Sequence, residues 1–409
     1  MNRPWIRLAL GAALACTPCL AQRSALEPPD LGRYLRWGPL RARPGFQVSN
    51  LGYDDNIFSS NVDPVGDYTA TWAPRLDGLL LLGDRAFLEF EGKLEYTTYL
   101  EYRSQNFLNE RGQARLTLPY RRMGVYVDGL LNRIQERPLD AEDIRVDRAE
   151  DGYGAGVILA PGWRTEIEIG GARERLRYSD PDADPDQTVT VGDRLDRTEN
   201  LRTLEVRYGV FGRTRLTLDA HTSRIDFRSP VSANRQSRGW GIVPGIDFGE
   251  GGPLAGAFRV GRMRIDAEDP VQPDFDDIVA RAEVRYRLGP RTTLRLDGER
   301  EPDYTLSSTG VFYIATRARL RAVRYLNRIV GVEAGASRGT LEFPVSAGVF
   351  EREDRLQTYE VGLRFRLAQN SLGRRIEYSL RLERYRRDSN DDAFDRSRTR
   401  WGVNAIVGF

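Results

Sequence analysis

The sequence predicts an all-β fold, a transmembrane antiparallel β-barrel of about 18 strands, with 16 the alternative count. Three observations predict it. Apolar and polar residues alternate with period two along most of the 409-residue chain, and the charges gather on one face of each segment. The connections between these segments are short and long by turns. The last nine residues place Trp401, Val403, Ala405, Val407 and Phe409 on one apolar face, with Gly402 between the first two. A strand with one apolar and one charged face needs lipid on the first side and water on the second, and a closed barrel supplies both.

Taken in order, residues 1–21 read as a secretory signal peptide. Arg3 and Arg7 form its basic region, residues 8–15 its apolar core, and Cys19-Leu20-Ala21 the small residues before cleavage at Gln22. The apolar run is too short for a membrane helix. Cys16 follows Ala13-Leu14-Ala15 in a lipoprotein-like arrangement, but that signal wants a larger aliphatic residue where Ala13 sits. Cleavage after Ala21 removes both cysteines, which leaves no disulfide framework and no cysteine metal site. Residues 22–43, containing Pro28-Pro29, form a periplasmic lead-in, and residues 44–409 form the barrel.

Within the barrel, tight turns are expected at 83–84, 120–122, 161–162, 211–212, 249–253, 289–290, 325–328 and 370–373. Longer polar loops are expected at 54–67, 103–106, 137–147, 179–194, 228–237, 266–277, 302–308, 343–354 and 388–395. Short turns at one end and long loops at the other place the turns in the periplasm and the loops outside the cell. The strands between them alternate well. Leu88, Phe90, Gly92, Leu94 and Tyr96 oppose Glu89, Glu91, Lys93 and Glu95; Tyr359, Val361, Leu363, Phe365 and Leu367 oppose Glu360, Arg364 and Arg366. Alternation weakens near 258–265 and 331–339, which predicts bulges or displaced strand boundaries there. Sixteen to 18 strands enclose an aqueous channel instead of a packed interior.

Composition is consistent with this. No long apolar run follows the signal, so helical spans are excluded, while a mean hydropathy of −0.51 suits strands that show lipid only alternate residues. A net charge of +2 argues against a nucleic-acid partner, which would require a clear basic excess. Lys93 is the only lysine; the arginine bias is explained more simply by genome composition than by selection for multidentate contacts.

Catalysis has one foothold. His221 is the only histidine, with Ser223 two residues on and Asp219 two residues back. The His-x-Ser spacing resembles outer-membrane phospholipase A, but Leu216, Leu218 and Ala220 form the lipid face here and turn His221 and Ser223 into the lumen. The Asp219–His221 pair resembles an omptin-type protease, which also needs paired acidic residues on the opposite wall that the sequence does not locate. The expectation is a lining histidine and no enzyme. Asp180, Asp182, Asp184 and Asp186 lack the glycine and closing glutamate of a calcium loop and read as a solvated acidic rim. No phosphate-binding glycine loop, zinc spacing or dinucleotide motif is present, so no cofactor and no metal are expected.

The strand Trp401–Phe409, closed by an aromatic residue, resembles the signal by which bacterial outer-membrane barrels are recognised for insertion. It implies an outer-membrane location and the barrel-assembly machinery as a partner, alongside outer-membrane lipid and lipopolysaccharide. The first barrel strand and loop read Gly45-Phe-Gln-Val-Ser-Asn-Leu-Gly-Tyr53-Asp54-Asp55-Asn56-Ile57-Phe58. An ending in Gly-Tyr-Asp-Asp-Asn-Ile is similar to the β-barrel porins encoded with exopolysaccharide export systems. That resemblance implies a conduit for exopolysaccharide, working with a separate periplasmic polysaccharide-export protein. A general or substrate-selective diffusion porin for small solutes is the alternative, and a long loop folded into the lumen would favour it. Inward positions near the short turns form a candidate basic belt along the conduit: Arg207, Arg213, Arg215, Arg285, Arg287, Arg291, Arg295, Arg319, Arg321, Arg364 and Arg366. Glutamates on the same faces offer a second reading, a cross-strand ladder that stiffens the wall.

Overall fold

The computed structural model describes residues 24–29, 31–83, 85–136, 146–180, 189–249, 251–304, 312–344, 352–369 and 375–408. The signal peptide, both cysteines, Phe409, the turn at 370–373 and Asp182, Asp184 and Asp186 lie outside the described residues. A short β1 (Leu35–Trp37) leads into β2 (Leu40–Asp54), β3 (Asp67–Leu81), β4 (Phe87–Tyr99), β5 (Phe107–Tyr120), β6 (Met123–Glu136) and β7 (Val146–Gly162). There follow β8 (Thr165–Ser179), a single helical turn α1 (Val191–Leu195), β9 (Arg197–Phe211), β10 (Thr214–Phe227), β11 (Ser237–Phe248) and β12 (Leu254–Ala267). The last strands are β13 (Phe275–Leu288), β14 (Thr292–Tyr304), β15 (Phe312–Tyr325), β16 (Val330–Phe343), β17 (Arg352–Gln369), β18 (Arg375–Ser389) and β19 (Arg396–Gly408).

From β2 to β19 each strand pairs antiparallel with the next, and β19 pairs with β2, so 18 strands close into a barrel. Ladder partners share a face, which makes inward and outward positions readable across the whole sheet. Outward positions carry the exposed apolar side chains, among them Trp72, Leu94, Leu218, Phe258, Leu320 and Leu380. Arg, Glu and Asp line most of the inward face.

The bulges expected near 258–265 and 331–339 are not there. β12 and β16 keep one register with both neighbours. Their alternation is blurred because Arg262, Arg264 and Arg338 point outward while Gly261, Gly331, Gly335 and Gly339 hold inward positions. Register shifts fall instead at 49–52, 159–162, 214–215, 367–369 and 403–405. The first matters most: Asn50, at φ 55°, moves the lipid face of β2 from Phe46 and Val48 to Leu51 and Tyr53. The β7–β8 turn falls at Trp163-Arg164, two residues later than expected.

The barrel is narrowed at both mouths by its own chain. At the periplasmic end, the Ser24 hydroxyl and the Ala25 N–H donate to Glu166 on the inner wall of β8, at 2.6 and 3.0 Å. Leu26 fills the inward space that Gly124 leaves open on β6. At the far end, apolar side chains are buried: Val243, Met263, Ile265, Phe275 and Val279 of the inner wall form one cluster with Phe312 at the start of β15, and Tyr313, Ala315, Leu341 and Leu356 of the inner wall form another.

Candidate functional site

The lumen is the candidate site, and its wall is a network of ion pairs. Arg43 and Arg75 hold Asp77 at 2.6 and 2.8 Å. Arg115 meets Glu168, and Arg207 bonds both Glu205 and Glu166. Arg259 bridges Asp219 and Asp247. Around the other side, Arg364 holds Glu333 at 2.6 Å and Glu377 at 2.7 Å, and Arg381 shares Glu333. Charges lining water gain little from any one such contact, but a ring of them fixes side chains that would otherwise sweep the bore.

Among the expected belt residues, Arg207, Arg215, Arg285, Arg295, Arg319, Arg321, Arg364 and Arg366 do face inward. Arg366 lies over the Tyr325 ring at 4.1 Å, and Arg215 stands opposite Asp247. Arg213 and Arg291 sit in turns, not on the wall, and Arg287 donates to the turn carbonyls of Gly251 and Gly252 at 2.9 and 2.7 Å. These three are tied to the periplasmic rim. The ladder brings three others together: Arg285 stands directly opposite Arg295, and Arg295 directly opposite Arg321. Asp297 takes Arg295 at 2.8 Å; Glu360 takes Arg321 at 2.8 Å and Arg319 at 3.1 Å. Arg285 has no ion pair among the described residues, and Arg319 and Arg321 share the single Glu360. Like charges in register repel, and with these carboxylates alone the row keeps an excess of positive charge inside the bore.

His221, Ser223 and Asp219 all face inward, as expected. The His221 ring occupies the space left by Gly241 on β11, where an added Cβ would come within 2.4 Å of it. Asp219 is engaged by Arg259, so this group is built as wall.

The extracellular mouth carries a feature that composition alone did not place. Thr190 and Asp193 cap α1 reciprocally, and the Thr190 backbone and side-chain hydrogen bonds hold the Asp193 carboxyl below its ordinary range. Ser229 donates to Asp193, Ser232 to the Asp193 carbonyl at 2.6 Å, and Arg235 to the Arg194 carbonyl at 2.9 Å. Arg235 also stacks over Phe227, an inward residue of β10, at 4.9 Å. α1 and the segment after β10 therefore lock to one another, and Arg235 covers the inner wall at Phe227. The polar loop composition at 228–237 was legible; the inward fold depends on Phe227 and Arg197, whose burial no local pattern signals.

The Gly-Tyr-Asp-Asp-Asn motif lies at the seam between β2 and β19. Gly52 faces Gly402, and a Cβ on Gly52 would stand 2.0 Å from the Trp401 carbonyl oxygen. Asp55 accepts from the Thr399 N–H at 2.7 Å. The buried Asn56 side chain donates to the Ser60 and Ser397 carbonyls at 2.8 and 3.1 Å and accepts from the Ser60 N–H at 2.9 Å. Across the seam Trp401, Val403, Ala405 and Val407 face outward, opposite Leu382, Leu380, Tyr378 and Ile376 of β18.

Comparison with known proteins agrees with this architecture. The family described as "Putative beta-barrel porin 2" matches residues 35–409. OccK2 (OpdF) of Pseudomonas aeruginosa is similar in structure, with a TM-score of 0.50 and 14% identity over 90% of this chain and 97% of that one. A BenF-like porin from Pseudomonas fluorescens Pf-5 gives a TM-score of 0.50 at 10% identity, over 90% of this chain and 98% of its own. At such identities the likeness shows the fold. No curated protein matches the chain.

Proposed function

The chain belongs to this family of β-barrel porins of the bacterial outer membrane, and from that premise we propose that it is a diffusion porin for small solutes with a preference for anions. The inward row Arg285–Arg295–Arg321 carries the reading. A fixed positive row in a water-filled bore with low-dielectric walls raises the local concentration of anions and lowers that of cations. The segments locked to one another at the extracellular mouth support small solutes over a bulky polymer. The seam accounts for the motif on which the exopolysaccharide expectation rested, so that motif adds no argument for a polymer.

Planar-bilayer recording in a KCl gradient tests the reading. The parent barrel should give a reversal potential of the sign set by chloride. Replacing Arg285, Arg295 and Arg321 with Glu should move that potential towards cation preference, with barrel abundance kept. An unchanged reversal potential in this variant would sink the proposal.

A further inference from the structure

The outer wall carries basic residues where a lipid-facing surface has no need of them. Arg173 of β8 faces Tyr153 on one side and Asn200 on the other; Asn200 faces Arg224, and Arg224 faces Arg238. Nearer the membrane centre, Arg202 faces Thr222, Thr222 faces Trp240, and Trp240 faces Arg264. In the next row down stand Ile169, Leu204, Ala220 and Ile242, the start of the apolar band on β8 to β11, and beside Ile242 on β12 stands Arg262, paired with Asp276 at 2.7 Å. The two basic rows thus lie outside the barrel, roughly 7 Å apart along the strands. Tyr153 and Trp240 mark their level, since aromatic residues gather where headgroups meet acyl chains.

Neighbouring acids neutralise only part of this charge. Arg224 holds Asp226 at 2.8 Å, Arg238 holds Glu268 at 3.1 Å, and Arg264 holds Asp266 at 2.6 Å. Arg173 and Arg202 are exposed and have no ion pair among the described residues. Arg224 and Arg238 are ladder partners that each hold a carboxylate, so the charge left over on this face is that of Arg173 and Arg202. Guanidinium forks at this spacing suit phosphate oxygens. An isolated phosphate would leave the apolar band below without a matching surface.

We propose that β8 to β12 form a docking surface for a phosphorylated, acylated glycolipid of the outer leaflet. Its phosphates lie on the arginine rows and its acyl chains on the band beginning at Ile169, Leu204 and Ile242. This surface is independent of which solute the lumen passes.

The test is titration of the purified barrel in lipid-free micelles with diphosphorylated lipid A, with its dephosphorylated form and with phosphatidylglycerol. The diphosphorylated form should bind about tenfold or more tightly than the dephosphorylated one. The combined Arg173→Ser, Arg202→Ser, Arg224→Ser and Arg238→Ser variant should lose that difference, while the matching Lys set keeps most of it. Gel mobility before and after boiling checks that each variant is a closed barrel. Should the Ser set fail to fold, the dephosphorylated lipid and the Lys set still decide. Equal binding of both lipid A forms, or undiminished binding by a folded Ser set, overturns the proposal. Equal affinity for phosphatidylglycerol, or displacement of lipid A by millimolar inorganic phosphate, also overturns it by reducing the site to one for any anion.

Discussion

At the scale of single residues, the barrel depends on a few side chains at its seam. Asn56 is almost wholly buried and its amide serves three backbone groups on two segments. Asn56→Ala would strand those groups, at a cost of about 1–3 kcal/mol for a buried unsatisfied partner. Gly52→Val would drive a Cβ into the Trp401 carbonyl, where only backbone movement gives relief. Both variants should lower the fraction of closed barrel on cold gels, Gly52→Val the more severely; normal amounts of both would remove the seam argument. The motif was visible in the sequence, but its role was not. Nothing in Asp54-Asp55-Asn56 says that the partners are Ser397 and Thr399, which lie more than three hundred residues away and are met only when the sheet closes. Arg285, Arg295 and Arg321 were legible as inward residues for the opposite reason: period two alone fixes a face. Their direct opposition needs the register, which strand composition leaves open.

At the scale of elements, the strands were the most legible part, because apolar–polar alternation is strict when one side meets lipid. Turns were nearly as clear. Gly212 and Gly289 adopt φ of 54° and 62°, a region that favours glycine, and each marks its turn. The loops were legible only as polar stretches. Apolar residues at both parities, as in Phe275-Asp276-Asp277-Ile278-Val279, hid the fact that one set lies against lipid and the other in a buried cluster within the mouth. The locked pair of loops makes a prediction of its own. Replacing residues 229–235 with a short Gly-Ser link should release Asp193, Arg194 and Phe227 and widen the extracellular mouth. Single-channel conductance should rise, with the ion preference unchanged because the arginine row lies towards the other end. A conductance equal to the parent's would mean that these loops do not limit flow.

At the scale of the whole molecule, 18 ladders in one closed sheet leave no unpaired edge in lipid, where each bare backbone group costs several kcal/mol. The protein should therefore behave as one cooperative unit: compact and fast-migrating on a gel before boiling, slow after it, with no stable partial form between. A gradual series of intermediate bands would contradict that. The strand count followed from counting connections, since alternation of short and long leaves little freedom. The narrowing of both mouths did not, because it arises from contacts between segments distant in sequence.

The seam also imposes an order in time. Every ladder but one joins strands that follow each other along the chain and can zip from a turn or loop. The exception brings Tyr53 to Trp401, which stand 348 positions apart (401 minus 53). Closing so long a loop from a free chain costs about 5 kcal/mol of conformational entropy. That cost falls once neighbouring hairpins have curled the sheet and brought its two edges near each other. The seam is then the last ladder to form, and the first to part when the chain is pulled from its ends.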